Sequence, residues 1–333
     1  MPYDTDYDAD TSLTRTPPSA RPPLQISLQK TVDTETVNAV RAAAERRSDL
    51  RIGLALGGGS ARGYAHIGVL ASLERHGLAP DIVVGTSFGA LVGALYASGQ
   101  DADELAEFAT AQRTRDLLPQ LMDFGLHKAA LFSGDKLESY LDRLMEGRHF
   151  ADLPREFAVV ATDVDSGERV VLQEGSLARA LRASATLPGI FAPVDIGGRR
   201  LVDGGLGSPV PVTTLADFDV DLSLGIGVGM QGSESAPIRL ALRCLETDWG
   251  RQLYQGLRDS EGGHPLQVLG RAFAHTVNSW RGQEVPVGTH HIQATPPISW
   301  LNFHKADLAI RAGDDALEAY ASTLRRDVAA LVG

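Results

Sequence analysis

Cysteine is almost absent: Cys244 is the only one in 333 residues. No intrachain disulfide can form, which excludes a disulfide-stapled scaffold and fits a reducing compartment. Cys244 itself reads as a small buried apolar residue. Basic residues are the minority, with 31 Lys and Arg against 42 Asp and Glu, for a formal net charge of -11. A nucleic-acid binder normally shows a basic face, so that partner is excluded. The same charge opposes docking on anionic lipid except through a local basic patch. Long apolar runs are missing too. The longest, Phe88 to Ala97, falls far short of the ~20 residues of a membrane-spanning helix. The first ten residues carry Asp4, Asp6, Asp8 and Asp10 where a secretory leader would carry positive charge. The expectation is a cytoplasmic protein, with at most peripheral contact with the inner face of a membrane. Oligomeric state is unreadable.

Metal signatures are lacking as well. No Cys/His cluster has zinc spacing. Asp163-Val164-Asp165-Ser166-Gly167-Glu168 resembles the opening of a calcium loop. However, Gly167 stands where a third Asp or Asn is wanted, and Glu168 stands where glycine is wanted. A hairpin turn between two strands explains the segment better. No metal and no cofactor are expected.

What is present is a globular composition, 43% hydrophobic and 22% charged, enough for a buried core. Residues 1–30 read as a disordered acidic and proline-rich tail. Residues 31–50 turn helix-friendly around Ala42, Ala43 and Ala44. A main domain then runs from 51 to 333. Ile52–Leu56 is an apolar strand, followed by a helical pattern from Tyr64 to His76. A second strand, Asp81 to Val84, runs into a small-residue helix ending near Gly99. This alternation predicts an α/β fold with a mainly parallel sheet and crossover helices. Further strands are expected at Phe157–Thr162, Arg169–Leu172, Arg200–Val202, Asp221–Val228 and His290–Ala294. Helices are expected at Asp101–Gln112, Ser133–Glu146, Ser176–Ser184 and Lys305–Leu331. At about 231–287 the strand rhythm stops. Two apolar stripes at helical spacing there fit either core-packed helices or a helical cap over an active site.

The chemistry concentrates in three motifs. Gly85-Thr86-Ser87-Phe88-Gly89 lies between a strand and a helix, the setting of a nucleophile elbow. Gly85 and Gly89 flank Ser87 where a Cβ would clash, and the helix N-terminus favours developing negative charge. Gly57-Gly58-Gly59-Ser60-Ala61-Arg62-Gly63 can turn several amides toward one point, as an oxyanion hole requires. Arg62 either fixes that loop or adds positive potential. Asp203-Gly204-Gly205 ends an apolar run, with small residues that leave the carboxylate open toward a pocket. A dinucleotide reading of the glycine loop fails. Arg62 or Ser60 falls where glycine is needed, Asp81 precedes its strand, and Ser87 would go unexplained.

GGGSARGYAHIGVL, GTSFG and DGG, in that order, resemble the patatin-like phospholipase family. The connectors Ser184 to Val194 and Pro209-Val210-Pro211 are similar to its bacterial members. The resemblance implies a three-layer α/β/α sandwich that hydrolyses lipid acyl esters with a Ser-Asp dyad. It makes Ser87 the nucleophile, Asp203 the base, and Gly57, Gly58, Gly59 and Arg62 the oxyanion loop. Gly63, Gly85, Gly89, Gly204 and Gly205 are its motif glycines. Ser60 stands where the family often has glycine. His66 matches a family position and reads as packing against the elbow. Two other readings stay open. One is a Ser-Asp-His esterase using His290, His291 or His304; the other is a non-catalytic, lipid-responsive binding module.

Overall fold

The computed structural model describes residues 50–111, 124–127, 130–188, 190–229, 288–299 and 301–332. The expected tail, all but the last residue of the expected helix at 31–50, and the expected cap lie outside the described residues, as does Cys244.

Ten strands are described. They are β1 (Ile52–Leu56), β2 (Ile82–Thr86), β3 (Phe124–His127), β4 (Ala130–Phe132), β5 (Glu156–Asp163), β6 (Arg169–Leu172), β7 (Val194–Ile196), β8 (Arg199–Asp203), β9 (Leu222–Val228) and β10 (Thr289–Ala294). The main sheet runs β10-β9-β1-β2-β5-β8-β7, with β6 also paired to β5. The five strands from β10 to β5 are mutually parallel, whereas β6, β7 and β8 join antiparallel. The expected mainly parallel sheet is present with an antiparallel margin. The hairpin β3–β4 forms a separate two-stranded sheet.

Alternation along the strands builds two cores. Ile52, Leu54, Leu56, Val83, Phe157 and Val159 point into one, while Ala55, Ile82, Val84, Ala158 and Val160 point into the other. Strands buried on both faces read as continuous apolar runs, which explains why β1 and β2 lack polar alternation. The larger core lies under α1 (Ala65–Arg75), α2 (Phe88–Ala97), α3 (Ala102–Ala111), α4 (Asp135–Leu144), α5 (Leu177–Ser184) and α6 (Ala306–Val332). On the other face the described cover is the 3-10 segment Val212–Asp217 with Val210, Phe218 and Val220.

Two details correct the reading from sequence. The expected helix from Tyr64 begins instead as a 3-10 segment, Ser60–Tyr64, before α1. The short strands β3, β4 and β7 were not anticipated, because three or four residues carry no period. The turn at Asp163 is a hairpin as expected: its Oδ1 accepts from the amides of Asp165 and Ser166, and Gly167 adopts a left-handed φ of 76°.

α6 runs along α1 at very close range. A Cβ at Gly68 would fall on the Ile310 carbonyl oxygen, and one at Gly313 on that of Ala65. Beside this crossing, Glu318 receives Ser72 Oγ at 2.7 Å and Arg75 at 2.9 Å, and Asp314 also pairs with Arg75. Among the described residues, no helix is long and apolar enough to cross a membrane.

Candidate active site

The sheet register sets the site. Strand β5 lies between β2 and β8. Thr86 on β2 pairs with Val160, and Asp203 on β8 pairs with the next residue, Ala161. Ser87 and Asp203 therefore leave the sheet at the same level, one on each side of β5.

Ser87 occupies the sharp turn between β2 and α2, with φ 53° and ψ −123°. A left-handed φ is strained for a serine, and the surroundings hold it there. A Cβ at Gly85 would collide with Ala90, and one at Gly89 with the Leu56 and Gly57 carbonyls, so the turn closes only with glycine at both places. Thr86 Oγ1 donates to Ser208 O at 3.1 Å, tying the elbow to the loop after β8.

Asp203 is 6% exposed. Its Oδ2 accepts the Ser87 hydroxyl at 2.7 Å, and its Oδ1 accepts the Gly205 amide at 2.8 Å. Burial pushes its carboxyl up to about 6, against the smaller lowering effect of those two bonds. A carboxylate with that affinity for protons is a far better base for a hydroxyl than an ordinary Asp near 3.9.

The glycine loop folds beside this pair, and its amides divide into two sets. Gly57 N–H donates to Ile226 O at 3.0 Å and Gly58 N–H to Pro209 O at 3.1 Å. Those two amides are engaged with backbone carbonyls. Among the described residues, the amides of Gly59 and Ser60 have no partner, and both residues line the same pocket as Ser87. Ser60 takes φ 50°, a left-handed conformation that glycine adopts more readily than serine. Gly58 stands close enough that its Cβ would lie 3.4 Å from Ser87 Cβ. Arg62 is 8% exposed, within the 3-10 segment, and is not among the pocket-lining residues. Its position favours fixing the loop over facing a substrate.

His66 does more than pack. It is fully buried, and its Nε2 lies 2.7 Å from Gly57 O. Burial pulls its pKa down to about 4, so the ring is neutral and donates Nε2–H to that carbonyl. The late histidines lie elsewhere. His290 is on the edge strand β10, with Nδ1 3.0 Å from Tyr320 Oη. His291 and His304 are exposed. Among the described residues no histidine lines the pocket, and Asp203 reaches Ser87 directly.

Above the pair opens a cavity of about 450 Å³ with mostly apolar walls. Phe88, Leu91, Leu141, Leu181, Phe191 and Phe303 supply much of that surface. Phe303 packs against Phe88 at 6.0 Å and Tyr64 at 6.2 Å between ring centroids. These walls come from segments scattered between Gly58 and Phe303, and no local motif announces them.

Sequence reasoning missed Ser184. It is fully buried, its Oγ accepts the Ser87 amide at 2.8 Å, and it donates to Val160 O at 2.6 Å. The available signal was a lone hydroxyl ending an amphipathic helix, where a segment noted only for its resemblance begins.

A family profile described as patatin-like phospholipase matches residues 54–216. Over 202 residues the chain is 37% identical to an uncharacterized NTE family protein of Mycobacterium bovis, covering 61% of this chain and 55% of that protein. It is 36% identical over 164 residues to patatin-like phospholipase domain-containing protein 6 of Mus musculus, covering 48% of this chain and 12% of the mouse protein. The chain thus spans about half the length of the mycobacterial relative, at 55%, and a small part of the mouse one. The solved structure of VipD from Legionella pneumophila aligns with a TM-score of 0.48 at 14% identity, covering 85% of this chain and 66% of VipD.

Proposed function

Residues 54–216 belong to the patatin-like phospholipase family, and from that premise we propose that this chain hydrolyses lipid acyl esters with a Ser87–Asp203 dyad. The observation that carries the proposal is the 2.7 Å bond from Ser87 Oγ to a buried carboxylate, at the floor of an apolar pocket.

In the proposed reaction, Asp203 accepts the hydroxyl proton as Ser87 Oγ attacks the acyl carbonyl. The amides of Gly59 and Ser60 receive the oxyanion, and losing one such donor typically costs about 3 kcal/mol in the transition state. Gly57 and Gly58 shape the loop by their backbone bonds, with His66 holding the Gly57 carbonyl. Protonated Asp203 then returns its proton to the leaving alcohol. Water, deprotonated by the same carboxylate, cleaves the acyl-enzyme. The burial that raises the Asp203 pKa supplies basicity that a histidine would otherwise provide. The acyl chain lies along the apolar walls, and the head group faces the pocket mouth.

A lipid panel scored by mass spectrometry, with Ser87→Ala in parallel, tests the reading. Free fatty acid released by the wild type and absent with the variant supports it. Equal release from both would refute it.

A further inference from the structure

Ser87 directly follows β2 and Asp203 ends β8, two strands that do not touch because β5 separates them. Something must fix their separation, and the chain does so with one short segment. Ser184, at the last turn of α5, is fully buried and makes two bonds: Oγ donates to Val160 O on β5 at 2.6 Å and accepts Ser87 N–H at 2.8 Å. Two residues later the Thr186 carbonyl accepts Asp203 N–H at 2.8 Å. Thr186 is itself fully buried, with Oγ1 donating to Arg182 O at 2.8 Å. Arg182 anchors the helix in turn, reaching Glu138 on α4 at 3.0 Å and the Ser133 carbonyl at 2.5 Å.

We propose that Ser184-Ala185-Thr186 is a positioning bracket that sets the Ser87–Asp203 geometry, with Ser184 Oγ as its decisive atom. The proposal rests on the dyad reading above. Its logic is that one rigid turn grips the backbone amides of both reacting residues. The Ser184 bond also occupies the Ser87 amide, so that N–H is not offered to the oxyanion, and the task falls to the glycine loop. The same bond holds Ser87 at its left-handed φ of 53°, a conformation that relaxes if its amide partner is lost. Ser184 touches no substrate; it acts through Ser87.

The test uses the full chain, p-nitrophenyl butyrate as a soluble probe ester, and a fluorophosphonate that reacts with the serine. Ser184→Ala should lower kcat by about 10- to 100-fold, the range a small misplacement of a reacting atom produces. KM should hold within about twofold, because no binding contact is removed. Fluorophosphonate labelling should slow by the same factor as kcat. Ser184→Thr keeps the hydroxyl and should recover most of the loss. Ser72→Ala serves as control. It deletes the bond of an equally buried serine, 2.7 Å to the partly exposed Glu318 and remote from the site, and should leave kcat unchanged.

Wild-type kcat in folded Ser184→Ala overturns the bracket, as does a loss no larger than that of Ser72→Ala. If Ser184→Ala fails to fold, Ser184→Cys decides, since a thiol fills the space but accepts the amide poorly; full kcat there overturns the proposal. Absence of turnover and of labelling in the wild type itself would refute the dyad reading, and the bracket with it. Wild-type turnover that Ser184→Ala leaves undiminished refutes the bracket alone.

Discussion

A carboxyl group held at about 6 by burial costs the fold stability whenever it is ionised. Below the unfolded value, near 3.8, both states carry the proton and the group contributes nothing. As pH rises from about 4 to about 6, the unfolded chain releases its proton while the native state keeps one, so stability falls. Above about 6 the loss is complete, on the order of 3 kcal/mol for this shift. Asp203→Asn removes the charge and keeps an acceptor for Ser87. The variant should therefore melt at higher temperature than wild type at about pH 8, with the difference shrinking toward pH 4; a lower Tm at pH 8 would contradict the assigned shift. The same variant, and Ser87→Ala, should each lose at least about a thousandfold in ester turnover while remaining folded. Both reacting residues were legible because Gly85, Gly89, Gly204 and Gly205 mark them locally. Ser184 was not, since its bonds join a helix end, a strand carbonyl and an elbow up to 97 positions apart. The spending of the Gly57 and Gly58 amides was equally hidden, because it depends on where Ile226 and Pro209 return in space.

At the scale of elements, the α1–α6 crossing is governed by two absent side chains. Gly68 and Gly313 let the helix backbones meet, and in each case an added Cβ would strike a carbonyl of the opposite helix. Backbone cannot swing aside as a rotamer can, so Gly313→Ala must push α6 away from α1. It should destabilise by about 1–3 kcal/mol, the usual range for overpacking, read as a lower urea midpoint at unchanged m. An unchanged midpoint would mean the helices do not pack this closely in solution. The helices and parallel strands themselves were readable from periodicity: α3, α4, α5 and α6 lie within a residue or two of their expected limits. Strand direction was not. Nothing in Arg199–Asp203 shows that β8 runs antiparallel to β5, although that reversal brings Asp203 level with Ser87. The 3-10 start at Ser60 also escaped notice, because the left-handed turn lies on a serine, not on a glycine.

Across the whole molecule, the pocket gathers residues from the glycine loop to Phe303 into a cavity of about 450 Å³. Its apolar walls should reward longer acyl chains. Each methylene buried there contributes about 0.8 kcal/mol, so kcat/KM should climb by up to about fourfold per added carbon through a p-nitrophenyl ester series. A flat series from acetyl to dodecanoyl would deny the pocket its assigned role as acyl site. In the proposed mechanism the Ser87 hydroxyl is activated by Asp203 and by nothing else. The most direct measurement follows fluorophosphonate acylation by intact mass, for wild type and Asp203→Asn, from about pH 4 to about pH 9. The expected result is a single adduct on Ser87, a wild-type rate that rises through one ionisation near 6 and levels off, and a slow, pH-indifferent rate in the variant. An adduct on another residue, or an Asn variant that reacts as fast as wild type, would contradict it.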